Sequence, residues 1–170
     1  MRFRDIPRFI QDGGYCVDLS LDDLIGHVDR YISEYNLQLQ PDFQRAHVWT
    51  DAQAAKYVEF LLRGGNSSRV VYFNYPGWMR DFTGDFVLVD GLQRLTACLR
   101  FMRNELPILD GQYYDNFTDR LSQMVGLKFN INCLQTKAEV LQWYLDLNDG
   151  GVVHTTDELD KVREMLEQEK

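Results

Sequence analysis

Apolar positions along the chain follow two periods. Leu21, Leu24, Ile25, Val28 and Ile32 recur at helical spacing and predict a helix from Leu21 to Tyr35. Ala55, Val58, Leu61 and Leu62 predict a second from Asp51 to about Arg63, stopped by Gly64-Gly65-Asn66-Ser67-Ser68. Leu92, Leu95, Leu99 and Met102 mark a third, from Leu92 to Asn104. A short helix over Phe117 to Val125, one from Ala138 to about Leu147, and a charged one from Asp157 to Glu169 complete the helical set. Val70 to Tyr75 and Phe86 to Val89 are β-branched and aromatic runs that read as buried strands and are expected to pair. Leu127, Phe129, Ile131 and Cys133 alternate with polar residues, as in a half-buried strand. Residues 1–19 read as an irregular arm or a short strand, Pro76 to Asp85 as a polar and aromatic excursion, and Asp110-Gly111 as a tight turn.

The junction at Asp90-Gly91 holds the densest chemistry. An apolar strand meets an acid and a glycine, then turns into a helix carrying Gln93 and Arg94. A helix start exposes unpaired N–H groups and partial positive charge, which suits a phosphate. Gly91 would let such a ligand approach, Arg94 offers a planar fork of donors, and Asp90 could hold a magnesium-bound water or orient the arginine. Asp90-x-x-Gln93 also has the spacing of a capping box, as do Ser20-x-x-Asp23, Thr50-x-x-Gln53, Thr136-x-x-Glu139 and Thr155-x-x-Glu158. Capping accounts for Asp90 and Gln93. It leaves Arg94 opposing the helix dipole unless an anion or a carboxylate answers it.

The segment Asp90-Gly91-Leu92-Gln93-Arg94 resembles the DGQQR signature of the ParB/sulfiredoxin-like domain found at the N-terminal end of GmrSD-type and SspE-type modification-dependent restriction systems. Two further blocks match in order. Pro41-Asp42-Phe43-Gln44-Arg45-Ala46-His47-Val48-Trp49 resembles the family's P-x-F-Q-R-x-x-V-W block. Tyr144-Leu145-Asp146-Leu147-Asn148-Asp149-Gly150-Gly151, followed by Thr155-Thr156-Asp157-Glu158-Leu159, resembles its F-x-x-L/I-N-x-G-G … L-T-x-x-E-L close. The likeness covers roughly residues 18 to 165.

This resemblance implies an α+β fold, ParB/sulfiredoxin-like, with a small mixed sheet flanked by helices. It further implies that the signature turn binds a nucleoside triphosphate and, in some members, supports its hydrolysis with a divalent metal. Carried over by position, Asp90, Gln93 and Arg94 are the catalytic candidates, and Gln44, Arg45, Gly91 and Arg94 the nucleotide-binding ones. Asp90 is the candidate ligand for Mg2+. Leu92 stands where the family usually has glutamine, a change that removes a polar contact and favours binding over turnover.

Composition bounds these expectations. A chain of 170 residues, 45% hydrophobic, is long enough for one domain with one core. The net charge of −8 disfavours direct nucleic-acid binding, and no additional nuclease or DNA-binding segment is read in the sequence. Cys16, Cys98 and Cys133 form no CxxC pair, which fits a reducing cytoplasm, and the N-terminus lacks the apolar run of a signal peptide or membrane span. There is no G-x-x-x-x-G-K-S/T, and His27, His47 and His154 lie too far apart to suggest a zinc site.

Weighed without the resemblance, Arg45 reads as an ion-paired surface residue, and Tyr72, Tyr75, Trp78, Tyr113 and Tyr114 as packing rather than a base-stacking surface. Asn148 to Gly151 reads as a helix-ending loop, and Cys98 as a packed thiol rather than a nucleophile. The sequence therefore points to a nucleotide-binding domain, with Mg2+-dependent hydrolysis as its extension. The alternative is a non-catalytic module with a protein partner, for which the charged helix from Asp157 offers a docking face; a nuclease component ranks third.

Overall fold

The computed structural model describes residues 14–44, 48–148 and 156–169. Four strands form one mixed sheet: β1 (Tyr15–Ser20), β2 (Val70–Asn74), β3 (Val87–Asp90) and β4 (Gly126–Asn132), in the order β1-β4-β2-β3. β1 runs antiparallel to β4, β4 parallel to β2, and β2 antiparallel to β3, with Tyr72 opposite Asp90. Five helices surround the sheet: α1 (Leu21–Tyr35), α2 (Asp51–Leu62), α3 (Leu92–Met102), α4 (Lys137–Asn148) and α5 (Thr156–Gln168). This is the expected α+β class.

Strand alternation divides the interior. Leu88 joins Val71, Phe73, Leu127, Phe129 and Ile131 in a core shared with α1, α2 and α3. Its neighbours Val87 and Val89 face the opposite way, into a second cluster built with α4 and α5. That double burial is why β3 reads as an unbroken apolar run while β4 alternates. The β2–β3 connection carries an aromatic cluster in which Tyr75 stacks on Phe86 at 4.7 Å and its hydroxyl donates to the Phe82 carbonyl.

Two local expectations fail. No helix forms over Phe117 to Val125; one 3-10 turn, Tyr114–Asn116, stands before it instead. The Val125 carbonyl accepts the Leu21 N–H at 3.0 Å, which draws this stretch out toward β4 rather than letting it coil. At Ser20 the hydroxyl donates to the Asp23 carboxylate at 3.0 Å, so that spacing gives no backbone cap. The boxes at Thr50/Gln53 and Thr136/Glu139 do form. Thr155 lies outside the described residues.

Candidate functional site

β3 delivers Asp90 to the edge of the first core, and Gly91 makes the turn into α3 with φ of 106°, a left-handed conformation that L side chains rarely adopt. A Cβ there would lie 3.1 Å from the Val71 Cα and 3.2 Å from the Arg94 Nη2, so the backbone passes close over β2. α3 begins with no side-chain cap and no acid in its first turn, unlike α2 and α4.

Asp90 and Gln93 do not form the capping box that their spacing allows. The Asp90 Oδ2 instead accepts from the Arg94 Nη2 at 2.6 Å. The Gln93 Oε1 accepts the backbone N–H groups of Val48 and Trp49, both at 3.0 Å. Both side chains are thus diverted from the helix start they were positioned to cap. Arg94 is 21% exposed, and its Nε is buried without a hydrogen-bond partner among the described residues.

The Gln93 tether fixes one end of the segment that begins at Pro41. Phe43 anchors the other end, packing edge-on against Tyr144 of α4 at 5.4 Å, while Trp49 packs on Tyr57 of α2 at 5.5 Å. Gln44 sits between these anchors, half-buried, its N–H donating to the Pro41 carbonyl at 2.9 Å. Arg45 and His47 lie outside the described residues. Asp90, Gly91, Gln93 and Arg94 share one turn, and Gln93 ties Val48 and Trp49 to it. The tether itself carries no sequence signal, because it joins a side chain to backbone groups 44 and 45 residues away.

The family model described as GmrSD restriction endonuclease, N-terminal domain, matches residues 28–166. The chain belongs to this family. Membership in the GmrSD N-terminal domain family associates the protein with restriction systems, and the matched span takes in the turn at Asp90 and the segment at Pro41. Among curated proteins, no relative matches the chain.

Other candidates of this GmrSD-family chain have structural roles. Leu92, at the departure from the signature, is 4% exposed and belongs to the first core. Cys98 is fully buried one turn beyond Arg94, and burial pushes its thiol well above the ordinary range. Burial likewise raises the Tyr57 hydroxyl, a rise that Arg94 and Arg69 oppose, and that hydroxyl donates to the Ser68 carbonyl at 2.9 Å. Tyr72 packs edge-on against Trp143, Tyr114 against Phe101, and Trp78 lies within the aromatic cluster, while Tyr113 remains 40% exposed. Asn148 ends α4, its side-chain amide donating to the Tyr144 carbonyl at 2.7 Å; Asp149 to Gly151 and His154 lie outside the described residues.

A separate cleft of about 500 Å³ opens where Pro41 and Phe43 meet the start of α4. Asn74 shapes its floor by pairing with both backbone groups of Leu134, at 2.8 and 3.1 Å. Lys137 and Asp42 bridge at its edge, at 2.8 Å, and the bond to Asp42 holds the Lys137 ammonium above its usual range. No described helix is long and apolar enough to cross a membrane.

Proposed function

We propose that the Asp90 to Arg94 turn binds a nucleoside triphosphate. The observation that carries this reading is the start of α3: a helix with no side-chain cap, a glycine at its entry and an arginine in its first turn whose Nε has no partner among the described residues. A helix start and a guanidinium at one turn suit phosphate oxygens. Arg94 contacts phosphate directly, and Gly91 supplies the left-handed turn from β3 into the start of α3. Asp90 holds Arg94 through the 2.6 Å bond. Gln93 acts as a positioning residue that holds Val48 and Trp49 beside the turn.

Among the described residues, no three metal-ligating side chains cluster, which does not make an all-protein metal cage. A single carboxylate fits magnesium that arrives with a triphosphate and keeps most of its waters. Asp90 is the residue that would hold it, and the ion would supply charge neutralisation on the phosphates. If hydrolysis follows, the protein's part is electrostatic stabilisation of an in-line attack by water at phosphorus. Leu92 turns into the core, so the departure from the signature is taken up by packing rather than by the ligand's contacts. In a restriction system such a domain would make the response nucleotide-dependent.

Thermal unfolding with each common nucleoside triphosphate, with and without magnesium, tests the reading. The right ligand raises Tm in a concentration-dependent way. Arg94→Ala removes that shift while lowering the unliganded Tm only slightly, since a partly exposed ion pair contributes about 0–1 kcal/mol. No shift with any triphosphate, together with a large apo destabilisation by Arg94→Ala, leaves Arg94 a structural residue. Phosphate release from the same samples separates binding from turnover.

A further inference from the structure

The connection from α3 to β4, residues 103–125, contains one 3-10 turn and no other helix or strand. Irregular connections this long are uncommon in small domains unless they carry function. This one is folded into a concave shape rather than lying flat. Ile108 and Gln112 close a tight loop through bonds of 2.8 and 2.6 Å, and Glu59 of α2 accepts the Leu109 N–H at 2.9 Å. The result is a groove of about 320 Å³ whose wall is apolar at Leu62, Phe101, Leu109 and Phe117 and charged at Asp119 and Arg120. Two of its apolar residues are open to solvent, Leu109 at 38% and Phe117 at 39%. Exposed apolar surface gathered around a concavity marks an interaction site, whereas scattered exposed side chains do not.

Charge selects the occupant. Asp119 and Arg120 both line the groove, while Asp110 and Asp115 adjoin its lining residues Leu109 and Tyr114 in the chain and Glu105 lies further off, within a protein of net charge −8. All four carboxylates are exposed. A partner segment with apolar residues for the groove and cations for its rim is therefore complementary, and an acidic one is repelled. Strand addition is unavailable here, because β4 is already paired on both edges, by β1 and β2. Side-chain docking of a helix, with apolar residues at helical spacing, is the remaining mode.

We infer that this groove docks a basic amphipathic helix of a partner protein. The surface is distinct from the α3 turn, and the inference stands independently of nucleotide binding.

The experiment uses the full chain and labelled synthetic helices of about 18 residues in fluorescence anisotropy. One peptide has leucine on one face and lysine on the other, a second replaces lysine with glutamate, and a third keeps lysine but replaces leucine with serine. The leucine–lysine peptide binds, and the other two are weaker by about tenfold or more. Leu109→Ser with Phe117→Ser, and separately Asp115→Lys with Asp119→Lys, each weaken binding by a similar factor. Asp146→Lys with Glu164→Lys, an equal charge change on α4 and α5, leaves it unchanged. Melting curves confirm that each variant folds, which the exposure of all six positions favours. No binding of the leucine–lysine peptide overturns the inference. So does equal binding of the serine–lysine peptide, indifference to the groove variants, or self-association of the wild type that Phe117→Ser abolishes, which would assign the groove to a second copy.

Discussion

The Gln93 side-chain carbonyl accepts the Trp49 N–H at 3.0 Å and, with the same oxygen, the Val48 N–H. A side chain at the start of α3 thereby holds Val48 and Trp49 just before the entry into α2. Trp49 is then placed to pack on Tyr57, which neighbours Arg94 electrostatically. The contact joins two sequence blocks that would otherwise be independent.

Removing that oxygen should loosen the segment more than it unfolds the protein. Gln93→Ala leaves two N–H groups without a protein acceptor, and Val48 is exposed enough for water to replace one. The cost is about 1 kcal/mol in denaturant unfolding. Amide exchange at Val48 and Trp49 accelerates while exchange in β4 does not. Gln93→Glu, which keeps an acceptor, restores protection; equal exchange in all three proteins would show that the bond is not formed in solution.

Two glycine substitutions should act with opposite sign. Gly91→Ala puts a Cβ at φ 106° and within 3.2 Å of Val71 and Arg94 atoms, costing about 1–3 kcal/mol. Gly26→Ala lies on the exposed face of α1 with nothing within 4 Å of the added atom, and gains about 0.5–1 kcal/mol from helix propensity. Urea midpoints for the two variants move apart from the wild type. If both move the same way, the left-handed turn at Gly91 is wrong.

Alkaline stability follows from buried tyrosines. Burial pushes Tyr31 from 10.0 up to about 12, and Tyr57 rises as well. The native state holds these protons more tightly than the unfolded chain, so the stabilisation is complete below pH 10 and is lost as pH rises through about 12. Absorbance at about 295 nm, following phenolate formation, should show Tyr31 and Tyr57 ionising only together with loss of the far-UV signal. Smooth titration of every tyrosine near pH 10 would contradict the packed core.

Much of this architecture is legible from periodicity, and the exceptions have physical causes. α1 starts and ends where its apolar stripe does, and β3 reads as buried because both of its faces are covered. Thr50 and Thr136 cap as their spacing predicts. The same spacing misleads at Asp90, where Arg94 competes for the carboxylate, and at Ser20, where the hydroxyl finds Asp23. Asn74 carries no local pattern, yet it fixes the chain beyond β4 through two backbone bonds. Local rules describe elements whose partners are near in sequence; the tether and the cleft depend on partners brought together only by the sheet.

Leu92 gives the sharpest test of how this chain departs from the resembled signature. Read along the sequence, leucine in place of glutamine removes a polar contact to a ligand. In the fold its side chain is 4% exposed and packs with the first core. Glutamine there must either bury an amide without a partner or swing outward and vacate the core. Either route costs about 2–4 kcal/mol. Leu92→Gln should therefore lower Tm by several degrees without creating phosphate release from any nucleoside triphosphate, whereas Leu92→Met keeps the volume and costs less than about 1.5 kcal/mol. Gain of triphosphate hydrolysis by a stable Leu92→Gln protein would show that this position serves the ligand rather than the core.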